Sequence, residues 1–101
     1  MAVFNVTKEN FDSVKQNEKV VLLDFYADWC GPCRMVSPII DEIAEERDDL
    51  FVGKINVDEQ PELAMEFGIV SIPTLVVMKN GEVAQKVTGA RPKAQILAMV
   101  D

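Results

Sequence analysis

Cys30 and Cys33 are the only cysteines of the chain, and they stand with Gly31 and Pro32 between them in Trp29-Cys30-Gly31-Pro32-Cys33. Two thiols at this spacing can close and reopen as a disulfide, and a C-x-x-C between a strand and a helix reads as a thiol–disulfide redox pair. A structural staple would be a poor use of them. In the chain-entropy model so short a loop stabilises by about 2 kcal/mol, against about 4.7 kcal/mol for a hundred-residue loop. A zinc site lacks ligands, because there is no third cysteine and no histidine. Metal binding would need two chains sharing cysteines.

Position divides the labour between the two sulfurs. Cys30 stands just before the expected helix, with the more open approach, where unpaired backbone N–H groups and the helix dipole favour a thiolate. It is the expected nucleophile. Cys33, inside the first turn, is the expected resolving thiol. Gly31 and Pro32 add no positive charge between them, and proline withholds one N–H donor. The reduced thiolate is then less stabilised than with a histidine in the pair, so the site should lean towards reducing others.

Two charged residues stand out in apolar surroundings. Asp24 interrupts Val20 to Tyr26; a covered carboxylate there costs several kcal/mol when ionised, which raises its pKa. The alternative is a strand-end aspartate that reaches water. Lys54 sits amid Val52, Ile55 and Val57, where a long side chain can also snorkel to solvent.

The elements that must hold these residues follow from periodicity. Val3 to Val6 predicts a short opening strand, and Thr7 or Asn10 can cap a brief helix carrying Phe11 and Val14. Val20 to Tyr26 is apolar on both faces except at Asp24, the pattern of a central strand covered on both sides. After the cysteines, Val36, Ile39, Ile40, Ile43 and Ala44 mark the buried stripe of a helix reaching about Arg47. Pro38 should bend that helix rather than end it. Glu45 to Asp49 reads as a solvated end.

Phe51 to Val57 predicts the next strand, followed by a short helix from Pro61 to Phe67 that Gly68 closes. Thr74 to Met78 is a strand after Ile72-Pro73, and Asn80-Gly81 predicts a type I′ hairpin into Glu82 to Thr88. Pro92 starts a last helix with Ile96, Leu97 and Val100 on its apolar face. The implied fold class is α/β. Three parallel strands joined by right-handed crossovers, plus an antiparallel hairpin, make a single mixed five-stranded sheet with four helices on both faces.

The whole composition narrows the function. At 101 residues the chain is expected to be one domain, 1–101. Net charge is −7, and the ten basic residues are scattered, which argues against nucleic acid or an anionic membrane as partner. The absence of histidine excludes a histidine general base. The uncharged stretch Gly68 to Met78 is too short to span a bilayer, and the first residues lack the pattern of a signal peptide. A cytoplasmic setting is expected, where disulfides are usually transient and catalytic.

Several separate pieces together carry a family resemblance. They are Asp24-Phe25-Tyr26-Ala27, Trp29 to Cys33, Pro38, Lys54 before Asn56-Val57-Asp58, Gly68-Ile69, Ile72-Pro73-Thr74-Leu75, Lys79-Asn80-Gly81 and Gly89-Ala90. In these the chain resembles the thioredoxin family over nearly all its length. The resemblance implies the thioredoxin fold, with Asp24 buried behind Cys33 as its proton acceptor and Lys54 nearby to tune it. It implies a cis Pro73 beside the cysteines. The residues alone predict trans, since only about 5–6% of X-Pro bonds in folded proteins are cis.

The resemblance also implies that substrate segments pair in extended form with the backbone around Ile72. The implied apolar docking surface comprises Trp29, Gly31, Pro32, Ile72, Pro73, Gly89 and Ala90. No cofactor would be bound. A flavin-containing thioredoxin reductase would restore the dithiol with NADPH, and protein disulfides would be the other partners of a monomer. Tyr26 departs from the tryptophan common at its position, Arg34 replaces a frequent lysine, and the last helix ends early, at Asp101. The rival from another class is a non-catalytic thioredoxin-like interaction module, against which Cys30, Cys33 and Asp24 weigh. An oxidase or isomerase is disfavoured by Gly31-Pro32 and the lack of an export signal.

Overall fold

The computed structural model describes residues 3–101. Its elements run β1 (Phe4–Asn5), α1 (Phe11–Lys15), β2 (Val20–Tyr26), α2 (Gly31–Glu46), β3 (Leu50–Asn56), α3 (Pro61–Glu66), β4 (Thr74–Lys79), β5 (Glu82–Thr88) and α4 (Lys93–Val100). The five strands form one sheet in the order β1-β3-β2-β4-β5. β1, β3 and β2 are parallel; β4 is antiparallel to β2, and β5 to β4. The mixed sheet of three parallel strands and a hairpin is therefore as expected.

Strand parity sorts the core into two layers, because successive side chains point to opposite faces. Leu22 of β2 and Leu75 and Val77 of β4 pack with Val36, Ile40 and Ile43 of α2 and with Ile96 and Met99 of α4. Val21, Leu23 and Phe25 pack on the other face with Phe11, Val14 and Leu63. Asp24 shares the parity of Leu22, so it falls on the face that α2 covers. This is why one carboxylate in an apolar strand ends up buried rather than at a wet edge.

Local chemistry sets most boundaries. α2 runs unbroken through Pro38, since loss of one hydrogen bond in a long helix with a buried stripe is affordable. At the end of α3, Gly68 takes a left-handed φ of 64°, with Gly68 N–H donating to Met65 O and Ile69 N–H to Ala64 O. These two bonds are a Schellman closure, which favours glycine at that position. Asn80 and Gly81 both have positive φ, 54° and 79°, as a type I′ turn requires.

Several expectations are corrected. The opening strand pairs only over Phe4–Asn5, not Val3 to Val6. Asn10, the N-cap residue of α1, makes no side-chain cap bond, and Thr7 Oγ1 accepts from Asn10 N–H at 3.3 Å rather than from an N–H inside α1. Instead Asn10 Oδ1 accepts from Thr7 N–H at 2.8 Å and its Nδ2 donates to Asn5 O at 3.0 Å, so the side chain closes the preceding turn. β3 begins and ends one residue earlier than predicted, and Pro92 stands just before α4 rather than in it. The Ile72–Pro73 bond is cis, against the expectation from residue statistics and in line with the resemblance.

Candidate active site

The loop after β2 delivers the cysteines to the start of α2. Cys30 is the N-cap residue of that helix, in an extended conformation, and its Sγ accepts from Cys33 N–H at 3.3 Å. The two sulfurs are joined as a disulfide. Both are nearly covered in this oxidised state, Cys30 at 5% exposure and Cys33 at 2%. The difference between them therefore lies in what each one faces, not in bulk exposure as anticipated.

Cys30 lies in the wall of an open groove of about 510 Å³. Trp29, Cys30, Gly31 and Pro32 line it together with Val57, Ala64, Ile69, Val70, Ser71 and Ile72. The Ile72 carbonyl oxygen is 3.8 Å from Cys30 Sγ. Gly89 N–H donates to Pro73 O at 2.8 Å, so Gly89 is tied to the buried Pro73 behind Ile72. Trp29, Gly31, Pro32 and Ile72 thus share one groove with Cys30. Pro73, Gly89 and the exposed Ala90 do not line it.

Cys33 faces the other way, into a cavity of about 270 Å³ lined by Asp24, Tyr26, Ala27, Asp28, Arg34, Ser37 and Lys54 as well. Asp24 is 3% exposed, and its Oδ1 has no hydrogen-bond partner among the described residues. Burial raises its pKa to about 7; Lys54 opposes that rise and Asp41 adds to it. Asp24 and Lys54 stand opposite each other in the β2–β3 register. The Lys54 side chain is exposed, and its ammonium lies 5.9 Å from the centre of the Tyr26 ring. Asp24 is thus no strand-end aspartate in water, whereas Lys54 does reach solvent.

Reasoning from sequence missed half of the groove. Val57, Ala64, Ile69, Val70 and Ser71 come from β3's end, α3 and the loop before β4. One signal was available: Val70 is a large apolar residue in an uncharged loop that leads into Ile72-Pro73, and it is 96% exposed. Ser37 was also missed, although it lies one helical turn from Cys33 on the same face. Among the described residues no cluster of acidic, cysteine or histidine side chains could hold a metal ion. No helix among them is long and apolar enough to cross a membrane.

Comparison with known proteins agrees with this geometry. The thioredoxin family model matches residues 2–101. Thioredoxin from Alicyclobacillus acidocaldarius subsp. acidocaldarius is 46% identical over 100 residues, 98% of this chain and 95% of that one. Thioredoxin from Porphyra purpurea is 51% identical over 98 residues, 95% of this chain and 92% of that one. A solved mutant thioredoxin from Halobacterium salinarum NRC-1 superposes with a TM-score of 0.91 at 38% identity, covering 98% of this chain and 88% of that one. Relatives this similar over their whole length, together with a Cys30–Cys33 pair that closes as a disulfide, leave the interaction module unfavoured. The chain belongs to the thioredoxin family and is a thiol–disulfide oxidoreductase.

Proposed function

We propose that the chain works as one domain that reduces protein disulfides, with the two cysteines in unequal roles. Cys30 thiolate attacks one sulfur of the substrate disulfide. That S–S bond breaks, a substrate thiolate leaves, and a mixed disulfide joins Cys30 to the substrate. Cys33 then gives its proton to Asp24 and attacks Cys30 Sγ, and the second substrate sulfur leaves as a thiolate. The pair ends as the Cys30–Cys33 disulfide, and the substrate has gained two electrons. The observation that carries this reading is the opposite outlook of the sulfurs, one on an open groove and one on a cavity with a buried carboxylate.

Other parts of the site serve those steps. Lys54 moderates the proton affinity of Asp24. Trp29, Gly31, Pro32, Ile72 and Pro73 receive the substrate, with Gly89 and Ala90 at the margin. Electrons return from a thioredoxin reductase that uses NADPH and flavin; this chain holds them only in its two sulfurs. We place the protein in the cytoplasm as a monomer, a setting in which the disulfide would be transient.

Cysteine variants test the division of roles. Cys30→Ser should abolish reduction of a protein disulfide, and Cys33→Ser should accumulate a covalent mixed disulfide through Cys30, seen by mass spectrometry. A trap through Cys33 instead would reverse the assignment.

A further inference from the structure

Trp29 is the only tryptophan of the chain, and at 67% exposure it forms part of the groove wall beside Cys30. It is not a loose side chain. Its Nε1–H donates to Asp58 Oδ2 at 2.8 Å, a charge-assisted bond that ties the indole edge to the loop after β3. An indole that donates to a carboxylate carries more electron density on its ring faces, which strengthens their attraction for a cation. The cation–ring contacts among the described residues are Lys15 on Phe11 and Lys54 on Tyr26; none of them is on Trp29.

The charged group in contact with the indole is a carboxylate. Asp58 touches it, and Glu59 follows Asp58 in the chain; both are exposed. Arg34 and Asp28 both line the cavity on the Cys33 side, not the groove. A substrate segment that enters the groove to reach Cys30 therefore meets an aromatic face with a carboxylate at its edge. An Arg or Lys side chain satisfies both at once, by stacking on the ring and pairing with the carboxylate.

We propose that Trp29 and Asp58 together form a receptor for a basic side chain flanking the substrate's cysteine, so that the preferred substrates are disulfides with Arg or Lys beside the attacked sulfur. The inference rests on the reading that Cys30 attacks from this groove. Asp58 acts here by contact with the substrate, separately from the proton chemistry of Asp24.

The test measures single-turnover reduction of peptide disulfides by the reduced protein at neutral pH. One residue at each of the two positions on either side of the peptide cysteine is Arg, Gln or Glu. Expected is the order Arg, Gln, Glu at one or more positions, with about fivefold between Arg and Gln at low salt, shrinking at high salt. Asp58→Asn keeps an acceptor for the indole N–H and removes the charge; it should bring the Arg-to-Gln ratio close to one. Glu82→Gln, at the hairpin, changes net charge equally and should leave the ratio as in wild type. A ratio below about twofold at every position, or equal ratios in the two variants, overturns the proposal. Trapping by Cys33→Ser keeps the two readings apart. Failure of every peptide to be trapped through Cys30 counts against the attack reading, and trapping at equal rates counts against the receptor alone.

Discussion

At Asp24 burial and ionisation oppose each other, and the consequence can be read in stability. Its folded pKa of about 7 lies above the ordinary value of 3.8 because burial disfavours the charged form. Between those two values the native state holds a proton that the unfolded chain has released. Stability should therefore be fullest below about pH 4, fall as pH rises towards 7, and level off above. The gap between 3.8 and about 7 corresponds to about 4 kcal/mol, to order of magnitude. Asp24→Asn removes the ionisation, so we expect it to be more stable than wild type at pH 8, with the difference closing near pH 4. Urea unfolding of both proteins across that range checks this; equal stabilities at pH 8 would mean that Lys54 compensates the charge. The same variant should reduce protein disulfides more slowly, because Cys33 loses its proton acceptor. The anomaly of Asp24 was visible in sequence as one acid in an apolar run. Its depth was not, since that depends on α2 lying over the Leu22 face.

At the scale of elements, close approaches decide what the strands tolerate. Gly53 of β3 lies against β1 and β2: a Cβ placed there would meet Val6 Cγ2 at 2.7 Å and Leu23 Cδ2 at 3.2 Å. Gly53→Ala should therefore cost about 1–3 kcal/mol by overpacking, seen as a lower urea midpoint with an unchanged slope. α4 is short, yet Ile96 is completely buried in the layer with α2 and β2. Ile96→Ala should cost about 2–5 kcal/mol, the usual range for emptying a packed site. Chemical denaturation measures it, and a loss below about 1 kcal/mol would mean that α4 is loosely docked. Lys93 at the start of α4 pairs with Glu42 and Glu46 of α2, which ties the first turn of α4 to α2. The helical stripes were legible because 3.6-residue periodicity is local. Gly53 was not singled out, because nothing near it in the chain announces that β1 passes so close.

For the molecule as a whole, the redox state and the stability are linked. Closing the Cys30–Cys33 loop removes freedom from the unfolded chain, about 2 kcal/mol in the chain-entropy model. The oxidised protein should therefore resist urea better than the reduced one by that order. Paired unfolding curves with and without a thiol reductant measure the difference. A reduced form of equal or greater stability would mean that the folded dithiol is favoured by interactions that outweigh the loop term.

What the sequence by itself determined is what depends on neighbours along the chain. Alternation and helical period mark the strands and helices, Asn80-Gly81 marks the hairpin, and the spacing of Cys30 and Cys33 marks the redox pair. These signals are local because φ and ψ preferences and side-chain parity are local. Tertiary structure alone decided what depends on residues far apart in sequence. It brought Val57, Ala64 and Val70 to Cys30, joined Trp29 to Asp58, and buried Asp24 under α2 while leaving Lys54 in solvent. The Ile72–Pro73 bond is cis although residue statistics favour trans, because tertiary packing can outweigh a preference of only about 0.5–1 kcal/mol.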